Sequence, residues 1–433
     1  MNELIYKTKD DEFINVATIE YNNKEQLSPF AMFCEDFLSN FVPPIDSEQL
    51  NKCISNIMEY LSCLEIPIEP EFIQYNFAEI LMQYLEIDET SAAITCISYC
   101  TAHEDSISEM FIQNHFLEKA SEFLNHNQFV PQVLSSLSNM ASIDSNRQAI
   151  LSIIPYNQIF SIADSYETDE IIMVKLSKLI YNLSKDSNIP LNFISFLSSK
   201  LLPSHFEEVQ ITSLWSLHNI LMRSHSLLYN KSDLLKLTND HNLGNIYETL
   251  LSNESNDKLQ FLGCCLFEDM IRLTPEKYKG YDFNTLLSLF NSPNSSLRST
   301  AVICYKELYA INADQVNVSD FIHLFIDLLS QVQYSIKNTI SDLFVQIAME
   351  FNIVVALNSG IFDIISTFLD SDNSLLHLKT VKLLTKFIEI LKNTCNDQDS
   401  LSPMQNFAQL IEENDILHRI EQIEENNGQF QDS

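Results

Sequence analysis

Apolar residues recur at helical spacing in long segments along the 433-residue chain, and a shorter apolar segment precedes each of them. The long segments are "SAAITCISYCTA", "FVPQVLSSLSNMAS", "IIMVKLSKLIYNLS", "VQITSLWSLHNIL", "KLQFLGCCLFEDMI", "LRSTAVICYKELYA", "YSIKNTISDLFVQIA" and "LLHLKTVKLLTKFIEI". Among the shorter ones are "FLEKASEFL", "NQIFSIADSY", "FNTLLSLF", "FIHLFIDLL" and "IFDIISTFL". Each pair reads as a helical hairpin. The long segments start near residues 91, 129, 169, 209, 258, 297, 334 and 375, at intervals of about 37 to 49 residues.

That interval brackets the two- or three-helix units of HEAT and armadillo repeats. One hairpin cannot bury its own apolar face, so neighbouring hairpins must stack and share a continuous core. The pattern therefore predicts an all-α, right-handed superhelical solenoid of about eight to nine repeats over residues 46–394, elongated and monomeric. Residues 1–45 fall outside the period and are expected to be an acidic, partly disordered segment. "TCNDQDSLSP" marks a linker at 395–403, ahead of an acidic partial repeat at 404–427 and a tail at 428–433.

Composition narrows the function classes. Five glycines leave little scope for phosphate-cradling loops, and no GxGxxG or GxxxxGK[ST] string occurs. A formal net charge of -34 with only five arginines argues against nucleic acid and favours basic polypeptide partners. No apolar run approaches the ~20 residues that span a bilayer, so no membrane association is expected. The nine cysteines form no CxxC pair and read as reduced thiols. Cys96, Cys100 and His103 share a helix face but lack an obvious fourth ligand, so buried thiols are expected there and no metal or other cofactor. Histidines and carboxylates assemble no nucleophile, metal or phosphate motif, which points to a non-enzymatic protein.

The one tryptophan lies in "SLWSLHNIL". Ile211, Leu214, Leu217 and Leu221 form the apolar stripe of that helix, while Trp215, Asn219 and Thr212 share a face off it. Within one helix the spacing leaves two roles open, packing against the adjoining repeat or display to a ligand. Aligned on Asn219, the long helices present Tyr99, Asn139, Asn182, Asn219, Asp269, Glu307, Gln346 and Lys386. Four positions earlier stand Thr95, Ser135, Lys178, Trp215, Cys265, Ile303, Asp342 and Lys382.

This ladder resembles the armadillo proteins of the importin alpha (karyopherin alpha) family, whose long helices repeat a Trp-x-x-x-Asn motif along a concave groove. The resemblance implies that Asn139, Asn182 and Asn219 hold the main chain of an extended basic peptide, that Trp215 covers the stem of a cationic side chain, and that Asp144 supplies a carboxylate. Tyr99, Asp269, Glu307 and Gln346 are the remaining expected groove positions. The chemistry is sound, because an amide both donates and accepts and an indole face attracts cations. "LIEENDILHRIEQIEENN" resembles the family's last short repeat. Its Ile411, Leu417 and Ile420 are expected to pack on "LLHLKTVKLLTKFIEI", and its acids Glu412, Glu413, Asp415 and Glu421 to meet an export-type or importin-beta-type receptor.

Departures from the family are equally specific. The first 50 residues hold three lysines, no arginine and ten acids, so the family's basic segment is not among them. Thr95, Ser135 and Lys178 replace tryptophans at the main cargo site, and Ile303 and Asp342 replace them at the second. The expectation is an importin-alpha-like adaptor of cytoplasm and nucleus that holds an extended, basic polypeptide. The alternative is an armadillo scaffold with a different protein ligand and no transport role.

Overall fold

The computed structural model describes residues 28–429 apart from 44, 64–67, 89, 224–230, 253–255, 282–283, 291, 313–317, 332–340, 342–343, 346, 350–351 and 395–400. Its helices are α1 (Pro29–Asn40), α2 (Ser47–Cys63), α3 (Glu69–Gln74), α4 (Phe77–Leu85), α5 (Ala92–Thr101), α6 (Asp105–Gln113), α7 (Phe116–Phe123), α8 (Val130–Ala141), α9 (Asp144–Ile153), α10 (Tyr156–Ser165), α11 (Glu170–Leu183) and α12 (Asn192–Phe196). They continue with α13 (Glu207–Arg223), α14 (Lys231–Asp240), α15 (Leu243–Leu251), α16 (Asp257–Leu273), α17 (Asn284–Leu289), α18 (Ser295–Asn312), α19 (Val318–Gln331), α20 (Ile353–Asn358), α21 (Ile361–Leu369), α22 (Ser374–Thr394), α23 (Leu401–Glu413) and α24 (Ile416–Gln429). No strand occurs among the described residues.

The chain divides into two compact units after Phe116. In the first, α1 packs on α2 and α2 on α5. Residues 29–40 fall within the acidic N-terminal segment expected from composition, yet they form a core helix. Phe30, Cys34 and Phe37 repeat at i, i+4 and i+7 and are all buried. The Phe30 ring meets Phe77 edge-on at 6.0 Å, and Ser28 caps the helix by accepting from the Ala31 amide. The expected segment's first 27 residues, like the linker's 395–400, lie outside the described residues; the linker's last three residues begin α23.

In the second unit the long helices α8, α11, α13, α16 and α18 pack one against the next. Several repeats have three helices, two short ones before the long one, as in α9, α10 and α11 or α20, α21 and α22. The two short helices meet at a corner that often adopts positive φ: Asn76, His115, Asn242, Gly360 and Asp415 all do. The next residue opens the second short helix and is buried each time, as Phe77, Phe116, Leu243, Ile361 and Ile416. An αL residue reverses the chain in one step, and Asn, Asp and Gly adopt it at least cost.

That corner corrects the expected packing of the C-terminal repeat. Asp415 starts α24 so that Ile416 takes the core position, and Leu417, about 100° further round the helix, is 62% exposed. Ile411 and Ile420 are only half-buried. Phe407 and Ile416 anchor the repeat, with the Phe407 ring edge-on to Phe362 of α21 at 5.6 Å. Arg419 ties the same helix to Asp370.

Gly360→Ala should lower the melting temperature of the full chain, because its φ of 81° strains an L side chain and the added Cβ would lie 3.2 Å from an Asp363 carboxylate oxygen. The cost is about 1–2 kcal/mol. Asp415→Gly, at a corner of φ 52°, should hold or raise it. Thermal unfolding followed by circular dichroism checks both, and equal losses in the two variants would contradict the corner argument.

Candidate functional site

Across the layer of long helices, α13 buries Val209, Ser213, Leu214, Ser216, Leu217, Ile220 and Leu221. Ile211, expected in that stripe, is half-buried. Trp215 is half-buried too, and it packs against the adjoining long helix. Its ring lies 5.8 Å from His218 on its own helix and 5.7 Å from Phe261 on α16. Phe261 went unnoticed in the sequence. It sits four residues before Cys265 in the ladder alignment, and its off-stripe aromatic character was the available signal.

The asparagines serve as ties between repeats. Asn182 Nδ2 donates to the Ser138 carbonyl of α8 at 2.8 Å, and its Oδ1 accepts from Lys185 Nζ at 3.3 Å. Asn219 Nδ2 donates to Ser184 Oγ, the cap of α11, at 3.1 Å, and Arg223 donates to the Ser184 carbonyl at 3.1 Å. Asn219 Oδ1 accepts no hydrogen bond among the described residues. Asn139 is half-buried on α8.

The carboxylates are engaged with internal cations. Asp144 is exposed but pairs with Arg147 at 2.8 Å, whose guanidinium also donates to the carbonyls of Ala141 and Ser142. Asp269 is 2% exposed, placed under His218 rather than on the open face, with Oδ2 2.7 Å from His218 Nδ1. Glu307 pairs with Arg272 at 3.1 Å, and Arg272 also holds Glu268 at 2.5 Å. Lys178 pairs with Glu208 of α13 at 2.8 Å. Burial pushes the His218 pKa down, but the hydrogen bond and charge of Asp269, with Glu268 behind it, raise it overall.

Tyr99 lies on α5 of the first unit, exposed. Gln346 lies outside the described residues. In the C-terminal repeat Glu412, Glu413 and Glu421 are exposed, with Glu413 accepting from Gln409 at 2.7 Å and Glu421 4.0 Å from His418. Asp415 is accounted for by its corner conformation. Cys96 and Cys100 are buried thiols. Among the described residues no cluster of three His, Cys, Asp or Glu side chains could hold a metal ion.

Asn182→Ala should lower stability by about 1 kcal/mol, because it leaves the Ser138 carbonyl short of a donor. A chemical denaturation curve checks this, and an unchanged midpoint would mean the tie is solvated. The His218–Asp269 pair sets a pH dependence. Its contribution is fully present below a pH of about 6.5 and is lost as pH rises through the raised folded-state pKa of His218. Melting temperature should therefore fall more across that window in the wild type than in His218→Gln; parallel profiles would contradict the pair.

No family model matches the sequence, and no curated protein matches it. Solved structures do match, 179 chains in all. An engineered protein solved by crystallography is similar at 14% identity and a TM-score of 0.62, over 83% of this chain and 88% of its own. A designed armadillo repeat protein in complex with the peptide (KR)4 is similar at 16% identity and a TM-score of 0.47, over 56% of this chain and 99% of that one. A computationally designed armadillo repeat protein for modular peptide recognition is similar at 14% and 0.46, over 53% and 98%. Identities this low speak to fold alone, and the fold is an all-α solenoid of armadillo type.

Proposed function

We propose that the chain is a non-enzymatic binding protein that holds an extended polypeptide across the layer formed by α8, α11, α13, α16 and α18. The observation that carries the reading is the half-buried Trp215, braced by Phe261 and set one helical turn from Asn219, whose Oδ1 accepts no hydrogen bond among the described residues. The indole covers the stem of a cationic or apolar ligand side chain, and the amide oxygen takes a main-chain N–H.

The fuller version is an importin-alpha-like adaptor of cytoplasm and nucleus that takes basic segments and presents Glu412, Glu413 and Glu421 to an export-type or importin-beta-type receptor. It rests on the sequence resemblance and on the exposed acids of the C-terminal repeat. The scaffold reading, with another protein ligand and no transport role, is favoured by a specific observation. Asp144, Asp269 and Glu307, which would greet a basic ligand, each already face an internal cation or histidine.

A labelled Lys-rich dodecamer should bind the full chain weakly, at micromolar dissociation constants or above, and less well as salt rises. Trp215→Ala should weaken it by about 0.5–2 kcal/mol, roughly 2- to 30-fold, with a small change in melting temperature. Fluorescence anisotropy with thermal melts checks both. Unchanged affinity with a large fall in melting temperature would make Trp215 a packing residue and overturn the reading.

A further inference from the structure

In a chain with 59 acids and 25 lysines and arginines, an internal lysine without a carboxylate is unexpected. Lys175 is such a residue. It is half-buried on α11, and its ammonium reaches a neutral hydroxyl, Ser135 Oγ of α8, at 2.7 Å. Ser135 donates its own proton to the Pro131 carbonyl at 3.0 Å, which leaves an oxygen lone pair free to accept from the lysine. That satisfies one of three N–H groups. No carboxylate among the described residues pairs with Lys175, whereas Lys178, three residues on, has Glu208. Burial first and Lys178 second push the Lys175 pKa below the ordinary lysine range, as expected of two ammonium groups held near each other. A half-buried cation that has lost water and gained no counter-charge costs stability, and supplying the counter-charge from a ligand recovers it.

We infer that the Lys175 ammonium, held in place by Ser135, is an anion subsite on α11 beside α8, and that it takes an oxyanion carried by the bound polypeptide, a carboxylate or phosphoryl side chain. This rests on the proposed function and sharpens it. The ligand is of mixed charge, with an acidic group over α11 and a cationic or apolar one at Trp215.

A random dodecamer library displayed on phage, selected on the full chain, tests this. The selected peptides should share an Asp or Glu at a fixed register. In a synthetic copy, changing that acid to Gln should weaken binding about tenfold or more to wild type but hardly at all to Lys175→Gln. A phosphoserine at the same place distinguishes phosphoryl from carboxylate preference by which binds more tightly. Lys175→Met should melt no lower than wild type, since no ion pair is lost. Selected peptides with no shared acid, or an acid whose loss is felt equally by Lys175→Gln, would overturn the subsite and leave the groove reading intact. Failure to select any peptide would overturn the groove reading and the subsite together. A marked fall in the melting temperature of Lys175→Met with unchanged peptide affinity would assign the lysine to packing.

Discussion

Two short helices can deliver their apolar edges to one core only if the chain reverses between them within a residue or so, and in five of these corners a single residue at positive φ makes that turn. Asn76, His115, Asn242, Gly360 and Asp415 supply it, and each hands a buried Phe, Leu or Ile to the core at the following position. Because no repeat buries its face alone, each correctly turned corner also sets the surface on which the next repeat stacks. A chain with five glycines meets this demand mostly with Asn, Asp and His, whose short polar side chains tolerate the αL region better than other non-glycine residues.

Stacking long helices side by side leaves polar groups at their seams, and the second unit satisfies them across the repeats. Asn182 reaches back to Ser138, Asn219 to Ser184, His218 forward to Asp269 and Arg272 forward to Glu307. These bonds use many of the side chains that would otherwise serve a ligand. Among the described residues, Trp215 stays half-buried, Asn219 Oδ1 accepts no hydrogen bond and Lys175 reaches only Ser135.

Much of the fold is legible in the hydrophobic period. Long helices expected near 91, 129, 169, 258 and 375 begin at 92, 130, 170, 257 and 374. Helix α1 escaped because its acidic neighbourhood dominated the composition, although Phe30, Cys34 and Phe37 already carried a core stripe. The corners were harder to read, since of the five only Gly360 carries the usual glycine signal and the others show only a polar residue ahead of an apolar one. The face of Leu417 depended on the corner at Asp415, a backbone conformation that periodicity does not encode.

The ladder positions were legible as positions and not as environments. Asp269 sits on a rung by spacing, yet His218 from the preceding long helix covers it. Whether a rung is open depends on side chains some forty residues away, which a single helix does not reveal. Trp215 offers the most direct measurement, since it is the sole tryptophan in the chain. A peptide whose binding is established independently by anisotropy should shift or quench its emission as it saturates, because the indole is then covered by the ligand. Saturation with no change in tryptophan emission would place the peptide elsewhere and contradict the account.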